Sequence, residues 1–222
     1  MNTVNPQAGH AVIHGRAARL DIANLDTDQI MPKQFLRGID KAGLDQGVLY
    51  DLRFDGEGKE RPEFVLNRPG FAGVDMLLAG ANYGCGSSRE HAVWGMQQFG
   101  FKAVVAASFG EIFYSNAMNN RLLLAMVSAE DARIFHAQAQ AQEVLGLPLD
   151  IEIDVAAQQV RTAGHSAAFS ISPRHRRMFL QGQDSIAASM AHAPQIAAFA
   201  QQHWQRQPWV RDVAATVRAR LD

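Results

Sequence analysis

Short apolar runs alternate with helix-like segments in the middle of the chain. The runs lie at residues 74–79, 102–107 and 122–127. Between the first two, apolar residues recur at helical spacing over 89–99. A second helix is predicted after Ser108, with Glu111 three residues on as in a capping box, and a third from Ser128 to residue 144. Buried strands that alternate with helices are typical of βαβ units, so the pattern predicts an α/β fold with a parallel or mixed sheet.

The pattern changes on both sides of this region. Residues 11–20 could form an edge strand, and residues 21–62 are rich in turn-forming residues. Apolar and acidic positions alternate over 149–155, which predicts a half-exposed strand paired with 167–171 as an antiparallel hairpin. Pro173 stands where a further helix begins, at the N1 position that proline tolerates best.

The C-terminal part differs in composition from the rest. Beyond residue 190 the sequence is an Ala/Gln-rich helical stretch broken at Pro208. We therefore predict a folded domain over 1–190 and a helical extension over 191–222. Five apolar residues of the extension could form one stripe, which would either pack on the chain's own domain or contact another subunit: Trp209, Val210, Val213, Val217 and Leu221.

Composition excludes several classes of protein. The chain has 222 residues, of which 47% are hydrophobic and 19% charged, so a disordered chain is excluded. Basic residues number 21 against 22 acidic ones, without the basic excess that nucleic-acid binding requires. Apolar runs fall far short of the ~20 residues that span a bilayer, and residues 1–11 lack a signal-like apolar run, so we expect a cytoplasmic protein. The single cysteine, Cys85, excludes a disulfide framework or a metal centre built from this chain's cysteines.

The segment with most chemical information is the turn at residues 82–91, Asn-Tyr-Gly-Cys-Gly-Ser-Ser-Arg-Glu-His. It follows an apolar strand and opens a predicted helix, so backbone N–H groups and the positive end of the helix dipole face a common point. Its glycines allow close approach of a ligand, and its hydroxyls and guanidinium suit a carboxylate or phosphate. It lacks the lysine of a Walker loop, the third glycine of a dinucleotide fingerprint and the closing glycine of a nucleophile elbow. The residues alone indicate either an anion-binding turn or a structural glycine turn.

The Gly-Ser-Ser-Arg-Glu-His core of this turn resembles the signature of the aconitase superfamily. Four further segments, in order and spacing, resemble the small subunits of 3-isopropylmalate dehydratase: 24–36, 64–67, 99–114 and 174–186. The resemblance extends over about residues 12–190. It implies an α/β fold of the swivelling β/β/α type, with a central, mostly parallel sheet flanked by helices and a small antiparallel hairpin.

The resemblance also implies a reaction, the dehydration and rehydration that interconverts 2- and 3-isopropylmalate in leucine biosynthesis. In that family the Lewis acid is a [4Fe–4S] cluster held by three cysteines. Because this chain has one cysteine, the cluster is expected on a large subunit, and this chain is expected to hold no cofactor and to be inactive alone. The expected partners are the large subunit and a malate-type dicarboxylate, with neither nucleic acid nor a membrane.

Three residues are implied to be catalytic. By its place in the motif, Ser87 resembles the family's base, which acts as an alkoxide. A serine hydroxyl ionises only under concentrated positive potential, which Arg89 and the N–H groups at the helix start can supply. Arg89 would also clamp a substrate carboxylate, because its planar fork matches two oxygens. Asp28 is implied to orient groups in the cleft by hydrogen bonding, with a turn-capping role as the alternative.

Five further residues are implied to face the substrate: Ser88, Thr27, Arg37, Gly86 and His91. Ser88 is expected to add a hydrogen bond, and Thr27 matches the same motif as Asp28. Arg37 stands where aconitases place a substrate-binding arginine. His91 either supports the site electrostatically or only hydrogen-bonds internally. Cys85 is expected to be a small turn residue beside the site.

Substrate choice depends on the loop 37–55, which is expected to cover the γ-substituent of the substrate. Its expected apolar contacts are Leu36, Ile39, Leu44, Val48 and Leu49. Apolar pockets discriminate by only ~1–3 kcal/mol per methylene. Three functions therefore remain open: an isopropylmalate dehydratase subunit, a related hydratase subunit for citraconate or dimethylmaleate, and a non-catalytic dicarboxylate-binding module.

Overall fold

The structure is a computed structural model that describes residues 11–36 and 42–221. The chain divides into two compact units, one running to Asp184 and a second beginning at Ser185. The predicted boundary after residue 190 stays a prediction. All the predicted site residues that the structure describes belong to the first unit.

Among the described residues, seven strands form one sheet. They are β1 (Val12–Leu20), β2 (Met76–Ala79), β3 (Ala103–Ala106), β4 (Leu123–Met126), β5 (Leu149–Asp154), β6 (Gln159–Arg161) and β7 (Ser166–Ala168). Their order across the sheet is β4-β3-β2-β1-β5-β6-β7. The strands β1 to β4 pair in parallel, and β5 to β7 extend the sheet in antiparallel fashion from β1. A parallel core with an antiparallel extension confirms the predicted α/β class.

The helices of the first unit lie between these strands in the chain, except the last helix, which follows β7. They are α1 (Thr27–Ile30), α2 (Tyr50–Arg53), α3 (Glu90–Phe99), α4 (Glu111–Asn119), α5 (Ala129–Val144) and α6 (Pro173–Gln181). Short 3₁₀ helices lie at Lys33–Leu36, Leu44–Gly47, Val65–Asn67 and Pro69–Phe71. Helix α5 packs on β1, β2, β3 and β5, while α3 packs on α4 and on the 3₁₀ helix Leu44–Gly47. The core between these elements is almost wholly apolar, with β2 and β3 buried along their whole length.

The first strand occupies the middle of the sheet, so the prediction of an edge strand is wrong. Ala17 to Leu20 pair with β2, with Ala17 opposite Met76, whereas the antiparallel pairing with β5 begins at Val12. The first half of β1 therefore pairs with β5 on one side only and is partly exposed. In the second half, Ala17, Ala18 and Leu20 are buried. The place of β1 in the sheet depends on its partners β2 and β5, which lie elsewhere in the chain, so its own residues do not reveal it.

The helix caps agree with the sequence in two of three places. Ser128 caps α5, because its hydroxyl accepts a hydrogen bond from Asp131 N at 3.0 Å. Pro173 occupies the first turn of α6, as predicted. The predicted Ser108 capping box is wrong: Gly110 is the N-cap of α4 and makes no side-chain cap, and Ser108 Oγ instead accepts a hydrogen bond from Asn82 N at 2.8 Å.

The antiparallel part of the sheet, over residues 149–168, has one strand more than predicted. The strand β6 was not predicted, and it lies between the two predicted strands, so β7 pairs with β6 rather than with β5. After β7, Ser170 N donates to Met126 O at 3.3 Å in an antiparallel bridge to β4. The sheet therefore curls until the segment after its last strand touches its first edge, which partly covers that edge.

The second unit is helical. It contains α7 (Ser185–Met190), α8 (Ala193–Arg206), a 3₁₀ turn at Pro208–Val210 and α9 (Val213–Leu221). Trp209, Val213 and Val217 of the predicted apolar stripe are exposed, and the role of that stripe stays a prediction. In the described part of the chain, no helix is both long and apolar enough to cross a membrane.

Candidate functional site

Two loops that are far apart in sequence meet beside the sheet. One follows β1 and the other follows β2, and because these strands are parallel neighbours their carboxyl ends lie at one edge. Gly84 N donates to Leu25 O and Thr27 N donates to Cys85 O, both at 2.8 Å, so the loops run alongside each other. A parallel bridge between Asp26 and Cys85 sets their register. The structure thus brings the Asp-Thr-Asp segment beside the Gly-Ser-Ser-Arg turn.

Two asparagines fasten the loops together. Asn24 and Asn82 both have left-handed backbone, with φ of 56° and 57°. Asn82 Nδ2 donates to Asn24 Oδ1 at 2.9 Å, and Asn82 N donates to Ser108 Oγ. Sequence reasoning missed this cluster. The signal was present in the residue type, since asparagine tolerates left-handed backbone better than other non-glycine residues.

The two glycines of the turn have different structural roles. A Cβ on Gly84 (φ +75°) would lie 2.3 Å from Phe113 Cγ, so this position is needed for close packing against α4. A Cβ on Gly86 (φ +95°) would first meet Asp26 Cβ at 3.4 Å, which is ordinary contact. At Gly86 the backbone conformation itself requires glycine, directly before Ser87.

The predicted base, Ser87, lies at the surface beside a buried threonine. Ser87 and its neighbours Gly86 and Ser88 are exposed. Thr27 is only 1% exposed, and its Oγ1 donates to Ser87 O at 3.0 Å and lies 3.2 Å from Ser87 Oγ. The serine hydroxyl is therefore accessible from outside yet held from within by a fixed polar group.

The structure separates the roles of the two aspartates in the first motif. Asp26 caps α1, since its Oδ1 accepts from Gln29 N at 2.8 Å and Gln29 Oε1 accepts from Asp26 N at 3.1 Å. The N-cap of α1 is therefore Asp26 and not Asp28. Asp28 Oδ1 instead forms an ion pair with Arg89 Nη1, and Asp28 Oδ2 lies 3.9 Å from Lys33 Nζ.

Arg89 joins the two motifs electrostatically. It is the N-cap residue of α3, makes no side-chain cap, and has a side chain that is 18% exposed. Its backbone N–H donates to Ser87 O at 2.9 Å, and its guanidinium lies against Asp28. A carboxylate at this position orients the planar guanidinium and leaves its remaining N–H groups available for a second anion.

The start of α3 is held from its far side by Asn120, which sequence reasoning also missed. Asn120 Nδ2 donates to Glu90 Oε1 at 2.6 Å, and Asn120 Oδ1 accepts from Trp94 Nε1 at 3.1 Å. The ring of His91 lies 5.0 Å from the Trp94 ring, centroid to centroid. The two roles considered for His91 stay predictions.

The predicted apolar contacts to substrate are corrected by the structure. Leu44, Val48 and Leu49 are 4%, 0% and 0% exposed, because they form part of the core on which α3 packs. They line no open surface, and only Leu36 of the described members is half-buried. Arg37 and Ile39 lie outside the described residues.

The aconitase C-terminal domain family matches residues 9–130 of the chain. The 3-isopropylmalate dehydratase small subunit 1 of Chromobacterium violaceum is 57% identical, over 96% of this chain and 98% of the relative. The small subunit of Caulobacter vibrioides is 41% identical, over 89% and 96% respectively. This chain belongs to the family of 3-isopropylmalate dehydratase small subunits.

A solved structure of this family agrees with the fold. The crystal structure of 3-isopropylmalate dehydratase from Methanocaldococcus jannaschii has a TM-score of 0.61 and 25% sequence identity. The match covers 84% of this chain and 99% of that chain. The predicted family and fold class are therefore confirmed, and the small-subunit relatives match this chain over nearly their full length.

Two other residues of the turn have structural surroundings in this small-subunit fold. Cys85 Sγ lies 3.3 Å from Asn24 O, a backbone contact in keeping with a turn residue. Tyr83 is fully buried with its hydroxyl 3.6 Å from Met96 Sδ, and burial raises the pKa of Tyr83. Tyr83 therefore anchors the turn in the core and is not available to exchange protons at the surface.

The donor set of the chain does not fit a resident iron–sulfur cluster. Three thiolates are needed, and Cys85 is the only cysteine in the sequence. Within 11–36 and 42–221, no group of three or more His, Cys, Asp or Glu side chains could hold a metal ion. The groups that this site offers for chemistry are the hydroxyls of Ser87 and Ser88, the Asp28 carboxylate and the Arg89 guanidinium.

Proposed function

We propose that this chain is the small subunit of a 3-isopropylmalate dehydratase, a hydro-lyase that interconverts 2- and 3-isopropylmalate in leucine biosynthesis. The observation that carries the proposal is the meeting of the two motif segments, with Thr27 against Ser87 and Asp28 against Arg89. The names of the relatives favour isopropylmalate over citraconate or dimethylmaleate, and an enzyme subunit over a non-catalytic binding module.

The proposal divides the chemistry between two polypeptides. A large subunit is expected because the relatives are named as small subunits. The [4Fe–4S] cluster is assigned to that partner, since one cysteine does not suffice to hold it. The present chain contributes a proton acceptor and groups that bind a dicarboxylate. We expect the complex to work in the cytoplasm.

In the proposed reaction Ser87 is the base. Its alkoxide would take the proton from the substrate C–H bond, becoming a neutral hydroxyl, and would return that proton in the reverse direction. A serine hydroxyl is too weak an acid for this role in water. The exposed face formed by Gly86, Ser87 and Ser88 offers a partner a surface to close over, which would exclude water and strengthen each electrostatic interaction there.

Arg89 is the proposed carboxylate clamp. Asp28 orients its guanidinium through an ion pair. A guanidinium has five N–H donors, so those that do not face Asp28 can bind a substrate carboxylate. Ser88 offers an exposed hydroxyl next to the base. Gly86, His91 and, outside the described residues, Arg37 complete the proposed substrate-facing set, whereas Thr27 is buried behind Ser87.

The test is reconstitution with a large subunit. The purified chain and the large subunit are assayed separately and together for interconversion of 2- and 3-isopropylmalate, with citraconate and dimethylmaleate in parallel. We expect activity only when the two subunits are combined, and we expect the combined enzyme to prefer isopropylmalate. An active pair that prefers citraconate or dimethylmaleate would contradict the substrate, and a chain that binds dicarboxylate without associating with the large subunit would contradict the enzyme assignment.

The role of the base is tested by Ser87→Ala. Loss of the proton acceptor is expected to lower kcat by about 10³-fold with little change in KM. The matched control is Ser166→Ala, which removes an exposed hydroxyl that contacts Gln159 on the antiparallel part of the sheet. The control should keep its activity within about threefold. Near-normal turnover in Ser87→Ala would remove Ser87 from its proposed role.

A further inference from the structure

The buried hydroxyl of Thr27 has a choice of two acceptors on the same residue. Thr27 Oγ1 lies 3.0 Å from Ser87 O and 3.2 Å from Ser87 Oγ. A hydroxyl carries one proton and two acceptor lone pairs. It therefore donates to the serine carbonyl or to the serine hydroxyl oxygen, and rotation about its own Cβ–Oγ1 bond is enough to change between them.

The Thr27 hydroxyl can give up its hydrogen bond to Ser87 O at little cost. Ser87 O also accepts a hydrogen bond from Arg89 N at 2.9 Å, so it keeps a partner when Thr27 turns away. In the first arrangement Thr27 donates to Ser87 O and can accept a hydrogen bond from the neutral Ser87 hydroxyl. In the second arrangement Thr27 donates to Ser87 Oγ. A hydrogen bond to an anion is about twice as strong as a neutral one, so ionisation of Ser87 favours the second arrangement.

The backbone holds Thr27 in this position. Thr27 N donates to Cys85 O at 2.8 Å, and Thr27 O accepts from Met31 N at 3.0 Å, so both sides of the residue are bonded. Its side chain is 1% exposed and β-branched, which restricts χ1. Apart from Tyr83, Thr27 is the one residue in the described part of the chain whose polar side chain is fully buried. A buried hydroxyl that is fixed in place is a preorganised donor.

We propose that Thr27 is a positioning residue for the base, and not a substrate contact: its hydroxyl accepts from neutral Ser87 and donates to the ionised Ser87. This inference rests on the proposed function, because it assigns Thr27 a task only if Ser87 is ionised in the reaction. No proton leaves Thr27, since its own proton turns from Ser87 O to Ser87 Oγ. The proton that Ser87 gains comes from the substrate C–H bond.

The test compares Thr27→Val with Thr27→Ser in the reconstituted enzyme. Valine keeps the shape and removes the donor, and serine keeps the donor. We expect Thr27→Val to lower kcat/KM by about 10²-fold, the usual effect of removing one donor to a developing anion, with KM nearly unchanged. Loss of the donor destabilises the anion and raises the pKa of Ser87, so the acid limb of kcat/KM should move to higher pH. Thr27→Ser, which keeps the donor, should keep both the wild-type rate and the wild-type position of that limb.

The matched control is Thr162→Val. Thr162 is a half-buried threonine in the β6–β7 turn, and its hydroxyl donates to Gln138 Oε1 of α5 at 2.7 Å. This variant should leave the rate and the pH profile unchanged. Association with the large subunit and circular dichroism show whether each variant is folded.

The outcomes separate the two proposals. If the wild-type pair is active and Thr27→Val keeps its rate and its acid limb, the role of Thr27 is overturned while the proposed function stands. The same holds if folded Thr27→Ser is as inactive as Thr27→Val. If Ser87→Ala keeps its turnover, the base assignment fails first and the role of Thr27 fails with it. A drop in rate without movement of the acid limb would show a structural effect only and would also refute the inference.

Discussion

Gly86 offers a test of whether backbone conformation positions the base. Gly86 and Gly100 both have positive φ, of +95° and +112°. A Cβ at Gly86 would meet nothing closer than 3.4 Å, and a Cβ at Gly100 would meet nothing within 4 Å. Replacing either glycine by alanine therefore has a conformational cost and no steric one. Gly100, at the far end of α3, is the matched control for Gly86→Ala.

The effect on stability follows from these contacts. A left-handed conformation costs an L-residue about 1–2 kcal/mol, and each kcal/mol lowers Tm by about 2–4 °C in a domain of this size. Both variants should therefore lower Tm by roughly 2–8 °C. Gly84→Ala adds a Cβ 2.3 Å from the base of the Phe113 ring, and Phe113 is itself buried in the core. Overpacking should add about 1–3 kcal/mol there, so Gly84→Ala should be the least stable of the three.

The effect on activity should differ although the stability cost is similar. An alanine at position 86 relaxes towards φ of about +57°, a rotation of roughly 40°. Such a rotation moves an atom about 3 Å from the bond by about 2 Å, and a misplacement of ~1 Å can cost about 10²-fold in rate. We expect Gly86→Ala to lower kcat/KM by about 10²-fold and Gly100→Ala by less than about threefold.

The assays are thermal unfolding of the isolated chain and steady-state kinetics of the reconstituted enzyme. Equal loss of activity in Gly86→Ala and Gly100→Ala would show that the conformation of Gly86 does not position Ser87. A Gly84→Ala variant as stable as Gly100→Ala would show that the contact with Phe113 relaxes freely. Either result would refute the corresponding part of the reasoning.

Two further predictions concern charged groups away from the site. Glu143, whose side chain is 17% exposed, pairs with two arginines, so Glu143→Gln should destabilise the chain by about 2–4 kcal/mol in chemical denaturation. The matched control, Glu130→Gln, breaks an exposed pair that solvent screens and should cost much less. Equal losses of stability in the two variants would contradict this prediction. Hydrogen bonds from Ser128 and His165 lower the pKa of Asp131. A lowered carboxyl pKa adds stability above the unfolded value of about 3.9 and loses it as the pH falls through the folded value. The stability difference between wild type and Asp131→Asn should thus shrink as the pH falls below about pH 4, and a difference that stays the same through that fall would refute it.

The succession of strands and helices from β2 to α5 was predictable because its signals are local. Each buried strand is a continuous apolar run, and α5 carries its own cap in Ser128. The short strand β6 was missed, because three residues with partly exposed neighbours carry no periodic signal. The place of β1 in the sheet was also wrong, since strand order depends on which partners the rest of the chain supplies.

The candidate site was predictable in its members and only partly in its arrangement. The motif residues Ser87, Arg89 and Asp28 could be named from the sequence, and so could Thr27. Their contacts could not, because Asp26 and Asp28 have the same side chain and one caps α1 while the other meets Arg89. The predicted contact of Leu44, Val48 and Leu49 with substrate is wrong because a sequence pattern cannot distinguish a buried apolar residue from one that lines a pocket.

The sequence by itself determined the family, the alternation of strands with helices and the chemical groups available: one thiol, two adjacent hydroxyls, and a guanidinium that opens a helix. Only the tertiary structure decided that the two motifs, 60 residues apart at Thr27 and Ser87, form a single site. The physical reason is that β1 and β2 pair in parallel, so both loops leave the sheet at the same edge and backbone hydrogen bonds set them in register. Long-range pairing of this kind depends on the packed core, and no local run of residues encodes it.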